Sequence, residues 1–482
     1  MTHAVRIASR LSALIAAWMV CASAAASAQT AAGSGMIDSG DRRLCSSGEA
    51  ASVIEGCTRI IQNRAEAAEV RVLALQNRGF VFQQSGQLDR AIGDYSAALS
   101  LGAGNRIANA KIFVNLGLIH AQRGDRDRAL TDYGQAIALN PALVSAYVDR
   151  AAILMALGEN QRAIVDLDQA VRLKPDDPAT YLSRGAIHAV AGDQDRAIED
   201  FTRAIAIQPA NAAAWRDRSL AYRTKGENGK AAADAAEAAR LEPNSGDAHQ
   251  SLGLSLQAAG DAERAVAEFG KAIELNPLDA EALKARGDSY LAEGDRDRAI
   301  GDFSQAIRLG PGMATAYNNR GVAYLGKSDW DAAIADFTSV IALSAGQSSA
   351  YLNRGQAYAA KRDDGRAMAD FSQAIQIDPD LVEAHRQRDF MRDKARDFAA
   401  AIADYDLVIS KNPTDAMSLR GRGSARLHQH QFDGAIADLT AAIAINPNDA
   451  LSYRFRSLAY AGKNETKRAV EDDDAALRLG AH

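Results

Sequence analysis

Tyr317-Asn318-Asn319-Arg320-Gly321-Val322-Ala323-Tyr324 reads YNNRGVAY, and its Asn-Arg-Gly centre returns at Asn77-Arg78-Gly79 and Asn353-Arg354-Gly355. With the glycine as a marker, the same context falls at positions 79, 117, 151, 185, 219, 253, 287, 321, 355, 389, 423 and 457. The first interval is 38 residues and every later one is 34. Twelve repeats therefore fill residues 72–482. A fixed period of this size marks a stacked array, in which each unit buries its apolar face only against its neighbours.

Each repeat is helical twice over. With the marker as position 8, aromatic residues recur at position 4 (Tyr147, Tyr181, Trp215, Tyr317, Tyr351) and position 11 (Tyr222, Tyr290, Tyr324, Tyr358). Spacings of four and three place positions 4, 8 and 11 on one helix face. A Gly-Asp break follows, as at Gly192-Asp193 and Gly294-Asp295. A second apolar stripe then has Ala at 20, Phe or Tyr at 24 and Ala at 27, as in Ala299, Phe303 and Ala306, and Pro at 32 ends it. In an antiparallel pair this register brings position 8 to face position 20, so that Gly321 meets Ala333. It likewise brings the ring at 4 to the ring at 24.

These residues resemble the tetratricopeptide repeat family: aromatic at 4, Gly at 8, Tyr at 11, Ala at 20, Phe or Tyr at 24, Ala at 27, Pro at 32. The resemblance covers nearly all of residues 72–482. It implies an all-α solenoid, a right-handed superhelix of about twelve helix-turn-helix repeats whose concave groove binds a protein or peptide. Positions 2, 5, 9, 12 and 13 would line that groove. They hold Ser145, Val148, Ala152, Met155 and Ala156 in the third repeat, and Ala179, Leu182, Ala186, Ala189 and Val190 in the fourth. Arg216 and Arg223 follow in the fifth; Thr315, Asn318, Val322 and Leu325 in the eighth; Arg386 and Lys394 in the tenth; Arg420 and Arg454 beyond. The family's Lys and Asn clamp for a peptide C-terminus is not reproduced, because Lys284 at position 5 is followed by Asp288 at position 9.

Arg holds position 7 in ten repeats, with Leu116 and Leu252 as the exceptions; position 23 is Asp in eleven and Glu268 in the other. The two positions lie two residues out of facing register, about 3 Å, which an Arg side chain spans. Pairs such as Arg320–Asp336 and Arg354–Asp370 within one repeat are expected, and a ladder of arginines facing a ligand is the alternative. If such pairs are solvent-exposed, each contributes up to about 1 kcal/mol, and Arg320→Leu should be mild. Four irregularities stand out: four extra residues within 101–109, expected as a joint; no Pro after Ser344-Ala345-Gly346; Asp389 and Arg392 where Gly and Tyr are usual; and the stretch Val53–Ile61, which mimics a second helix with Cys57 in the aromatic place. Asp389 and Arg392 imply that the tenth repeat packs poorly, by simple decay or, as the alternative, as a hinge or binding feature.

Residues 1–28 read as a signal peptide: Arg6 and Arg10, an apolar run from Leu11, and Ala26-Ser27-Ala28 before a cleavage point at Gln29. An uncleaved anchor is the alternative, since about 18 apolar residues can just span a bilayer. Residues 29–44 are expected to be a flexible linker, and 45–71 an N-terminal cap. After cleavage the charge is −8, with 53 basic against 61 acidic residues, which argues against a nucleic-acid surface. Two cysteines remain, Cys45 and Cys57. In an exported chain they suggest one disulfide, two buried free thiols being the alternative.

No nucleophile motif, phosphate-binding Gly loop or zinc-ligand spacing occurs. His120, His188, His249 and His385 occupy core positions, and His428 and His430 cannot share a metal across one helix face. The chain is thus expected to be no enzyme and to use no cofactor or metal. The leading expectation is a periplasmic or secreted scaffold of the bacterial cell envelope, without stable membrane insertion. A regulatory or targeting subunit of an envelope polysaccharide or peptidoglycan enzyme is the alternative.

Overall fold

The computed structural model describes residues 40–480, so the expected signal, 1–28, and the first part of the linker lie outside the described residues. All regular structure among the described residues is helical, twenty-six helices from Gly40–Ser46 to Thr466–Arg478. The chain divides at Ala259/Gly260 into two compact parts, so the sixth repeat contributes one helix to each. In the first part every helix packs on its sequence neighbours, and helices two apart also touch, as Ala212–Thr224 touches Gly246–Ala258. The second part repeats this pattern from Ala262 to Arg478.

Local chemistry sets each hairpin. In the fourth repeat Asp177 caps the helix Pro178–Val190 by accepting from the Thr180 N–H, with Pro in the first turn. Its end reverses through Gly192 at φ 87°. There the Asp193 N–H donates to His188 O (2.9 Å) and the Gly192 N–H to Ala189 O (3.1 Å), closing a Schellman turn. Asp193 then caps the next helix, Gln194–Ile207, through the Arg196 N–H. The Gly-Asp break is thus a left-handed stop followed directly by an N-cap. The first seven repeats have Gly at the left-handed position; the last five place Ser328, Arg362, Arg396, His430 and Asn464 there, at φ 59–62°.

The interior corrects the facing register. A Cβ added to Gly185 would lie 2.7 Å from the Phe201 ring, and one on Gly321 2.8 Å from Phe337. The ring at position 24 therefore covers the glycine, and Ala333 is not its nearest neighbour. Helical side chains lean toward the N-terminus, so a residue at 24 covers the surface above 20. The position-4 ring does not join it. Tyr181 clusters with Ala204, Ile205 and Ala214, while Phe201 clusters with Ala197 and Ala221. The tip of the position-4 ring reaches back instead. Tyr147, Tyr181 and Trp215 donate to the carbonyls of Pro141, Pro175 and Pro209, and His249 and His385 lie 3.0–3.1 Å from those of Pro243 and Pro379.

The insertion before the second repeat is not a joint. Its first helix, Arg106–Gln122, has 17 residues against 13 in the third, and the extra four are one helical turn. At the N-terminus the helix Gly40–Ser46 replaces part of the expected linker. A disulfide joins Cys45 to Cys57, Asn77 donates to Cys45 O (3.1 Å), and Arg42 pairs with Glu66. These ties order residues 40–44. The helix Ala50–Gln62 lays Val53, Cys57 and Ile60 over Ala74 and Val81, covering the apolar face of the first repeat.

Two outcomes follow. Cys45→Ser should lower the stability of the N-terminal helices by about 3 kcal/mol, seen as hydrogen exchange over 40–84 that rises before any other region responds. Arg362→Gly removes a side chain from left-handed backbone and should raise stability by about 1 kcal/mol in chemical denaturation.

Candidate interaction face

Arg320 shows how each first helix is fixed. Its Nε and Nη2 donate to Asp336 Oδ2 and Oδ1 at 2.8 and 2.7 Å. The guanidinium lies over Tyr317 and Tyr324, 5.6 and 5.9 Å from the ring centroids. The same two-pronged contact joins Arg78–Asp94, Arg150–Asp166, Arg184–Asp200, Arg218–Asp234, Arg286–Asp302, Arg354–Asp370, Arg388–Asp404, Arg422–Asp438 and Arg456–Asp472. The third nitrogen leaves the repeat. Arg320 Nη1 donates to Ser304 Oγ (2.9 Å), on the second helix of the repeat before, and Arg218, Arg354 and Arg456 reach Thr202, Thr338 and Thr440 likewise. Where that position is Gly134 or Gly270 there is no side chain to meet, and a Cβ added there would lie 3.9 Å from Nη1 of Arg150 or Arg286. Arg78 finds Thr58, so the N-terminal helix takes the place of a preceding repeat.

These arginines are struts between hairpins, not a ladder turned toward a ligand. Nor are the pairs exposed: the Asp336 side chain is 5% accessible and that of Arg320 18%. The hydrogen bond to Asp336 raises the pKa of Arg320 above its ordinary value. The second repeat has Leu116 at position 7, and there His120 Nδ1 lies 2.7 Å from Asp132 in place of the strut. Burial raises the pKa of Asp132 despite that contact.

The residues expected to line a groove fall into two sets, one in each compact part. In the first, Val148 and Met155 are half-buried against Leu154, Leu167 and Ile187, and Leu182 packs beside Phe201. Ala152 is half-buried as well. Arg216 donates to Glu242 (3.2 Å). Arg223 differs, because burial lowers its pKa. In the second part Leu325 packs on the Phe337 cluster and Asn318 donates to Asn319. Val322 is exposed. Arg386 donates to Asp415 and Arg420 to Asp449, each at 2.8 Å, and Lys394 pairs with Asp364. The acids facing Arg386 and Arg420 stand at the last position of their repeats, just ahead of the next first helix. Cations at position 5 are therefore neutralised locally, which the spacing along one helix does not reveal.

A tetratricopeptide repeat model matches residues 77–144, 114–178, 182–248, 251–314, 284–348, 318–382 and 392–450. The chain belongs to the tetratricopeptide repeat family. Among curated proteins no sequence matches it. Of solved structures, that of MamA protein shares 27% identity over 36% of this chain and 94% of its own, with a TM-score of 0.33. YrrB, a repeat protein with an unusual peptide-binding site, shares 24% over 37% and 92%, at 0.32. A repeat protein from Parabacteroides merdae ATCC 43184 shares 20% over 52% and 98%, at 0.42. Membership makes a protein–protein interaction scaffold the coarse function of this tetratricopeptide chain.

The tetratricopeptide register also locates side chains that the sequence reading passed over. Phe390 and Leu458 hold position 9, and Met417 and Leu451 position 2, of the tenth to twelfth repeats. Phe390 is 63% and Met417 66% accessible, and Leu451 and Leu458 are about half so. Positions 2 and 9 were the signal; the attention given to basic residues in these repeats hid it. Among the described residues no three His, Cys, Asp or Glu side chains gather as a metal site, and no helix is long and apolar enough to cross a membrane.

The burial of Asp336 overturns the mild outcome expected for loss of its partner. Arg320→Met leaves a carboxylate among apolar groups and should lower stability by about 2–3 kcal/mol. Adding Asp336→Asn should recover part of that loss in urea denaturation, whereas independent effects would simply add.

Proposed function

We propose that this tetratricopeptide array is a non-catalytic scaffold of the bacterial cell envelope. It holds a protein or peptide along positions 2, 5, 9, 12 and 13 of its first helices. The observation that carries this reading is the exposed set Phe390, Met417, Leu451 and Leu458 on the first helices of the tenth to twelfth repeats; Ile445, Val470 and Leu477, also exposed there, belong to second helices. Large apolar side chains exposed at positions 2 and 9 of successive first helices are of the kind that marks interaction surfaces. The neighbouring arginines are already paired with acids of the same chain. The partner's contribution is accordingly apolar side chains and backbone, with no requirement for an acidic tail.

Val148, Ala152, Met155 and Leu182 offer a half-buried apolar surface in the first part of the chain, which also holds Arg216 and Arg223. An envelope location is supported by the signal-like pattern of residues 1–28 and by the disulfide between Cys45 and Cys57, a bond that persists in oxidising compartments.

Affinity capture from a periplasmic extract, read by mass spectrometry, tests the reading. A partner retained by the wild-type chain should bind the Phe390→Asp/Met417→Asp variant at least about tenfold more weakly, the loss of two anchor residues at an interface. Equal binding by a folded double variant would show that these helices do not carry it. Cell fractionation should find the mature chain beginning at Gln29; recovery in the cytosol would overturn the location.

A further inference from the structure

The tenth repeat breaks the packing rule of the others. Position 8 takes a small residue wherever a ring stands at 24, as Gly79, Gly185, Gly287, Gly321 and Gly355 do. Where position 8 is larger, position 24 shrinks: Ala151 is set with Leu167, and Ser219 with Ala235. The tenth repeat has Asp389 and Tyr405 together. The ring makes room by moving onto the next repeat. There Gly421 stands at position 6, which is glycine in no other repeat, and a Cβ on it would lie 2.6 Å from Tyr405 Cε1. Asp389, Tyr405 and Gly421 are a compensated set, so the acid is built into the interior rather than left over.

Asp389 is 2% accessible, and its Oδ2 has no hydrogen-bond partner. The charged groups around it are committed elsewhere. On its own helix, Val382–Lys394, Arg388 and Arg392 donate to Asp404, His385 Nδ1 lies 2.8 Å from Asp404 Oδ1, and Arg386 pairs with Asp415. Asp393, one turn on, also has an oxygen without a partner. From the helix Phe398–Lys411 come Asp404, Tyr405 and Asp406, the last held by Arg422. From Ala416–His428 come Arg420, held by Asp449, Arg422 and Arg426, both on Asp438, and His428, stacked on Phe398. From Asp364–Ile377, Asp370 is held by Arg354, Asp364 by Lys394, and Arg366 by Asp363. Asp404 thus collects most of the cations; Arg386, whose Nε has no partner, and the Phe390 N–H draw Asp389 toward the anion, but burial and the neighbouring Asp404 outweigh them.

We propose that the tenth repeat is a proton-operated joint, closed while Asp389 carries a proton and loosened when that proton is lost. Burial first, and then the charges of Asp404 and Asp393, push Asp389 up to about 8. An opened repeat returns the group to the ordinary carboxylate range near 4. The closed form therefore binds more protons between those values. Its advantage is greatest at low pH, falls by up to about tenfold per pH unit as pH rises, and levels off above about 8. Phe390 adjoins Asp389 on the same helix, so anything docked on that ring is linked to the same proton.

Hydrogen exchange on the whole chain from about pH 6 to 8, corrected for the pH dependence of intrinsic exchange, tests this. Protection of 382–394 and 398–411 should fall at least about tenfold over that range, while 348–360 stays level. In Asp389→Asn, which keeps the shape and removes the charge, the two helices should follow the reference. Asp389→Gly restores the residue usual at position 8 and serves the same purpose if the amide variant folds poorly. A level wild-type response, or an equal fall in both variants, would overturn the proposal.

Discussion

A carboxylate placed between two helices is tolerated only with a partner, and here the partner also ties one hairpin to the next. Asp at position 23 lies almost out of reach of water, where an unpaired charge would oppose folding by several kcal/mol. Arg at position 7 meets it with two nitrogens and extends the third to the preceding second helix. One side chain thereby fixes a first helix against the two second helices that flank it. The glycine beside that arginine needs the same geometry, since it lies under the ring at 24 with no room for a methyl group. Strut and close approach are two sides of one fit.

The exposed face depends on that fixity. Once positions 4, 7, 8 and 11 are committed to the interior and positions 20, 23, 24 and 27 to its other wall, the first helices retain freedom only at positions such as 2, 5 and 9. Position 5 is partly used again, because Arg386 and Arg420 are held by the acid that ends their own repeat. Positions 2 and 9 remain, and it is there that Phe390, Met417, Leu451 and Leu458 meet solvent.

Much of this was legible in the residues. The 34-residue period, the helix limits and the Arg-to-Asp spacing are one-dimensional patterns, written in order along the chain. The failures are three-dimensional. Facing-register arithmetic pairs Gly321 with Ala333, but helical side chains lean backward and bring Phe337 over the glycine instead. Residues 101–109 read as a joint because a loop and an added helical turn look alike when only spacing is counted. The arginines of the later repeats read as free to line the groove, since the acids that hold them lie beyond the end of the second helix. Asp389 was visible as an exception; its link to Gly421 was not, because the two belong to different repeats and only the displaced Tyr405 ring connects them.

That triad bears on how an array of near-copies finds its correct pairing. Twelve alike hairpins risk assembling out of step, with a first helix docked on the wrong second helix, and the arginine strut offers no protection because nearly every copy can make it. What distinguishes one hairpin from another is its departure from the common pattern: Ala151 with Leu167, Ser219 with Ala235, Asp389 with Tyr405 and Gly421, and the 17-residue helices Ala68–Gln84 and Arg106–Gln122 of the first two repeats. A slip by one repeat would set an acid under a fixed ring or leave the hollow at Gly421 unfilled. The blemishes in the repeat are its addresses, and a chain polished to consensus would lose them.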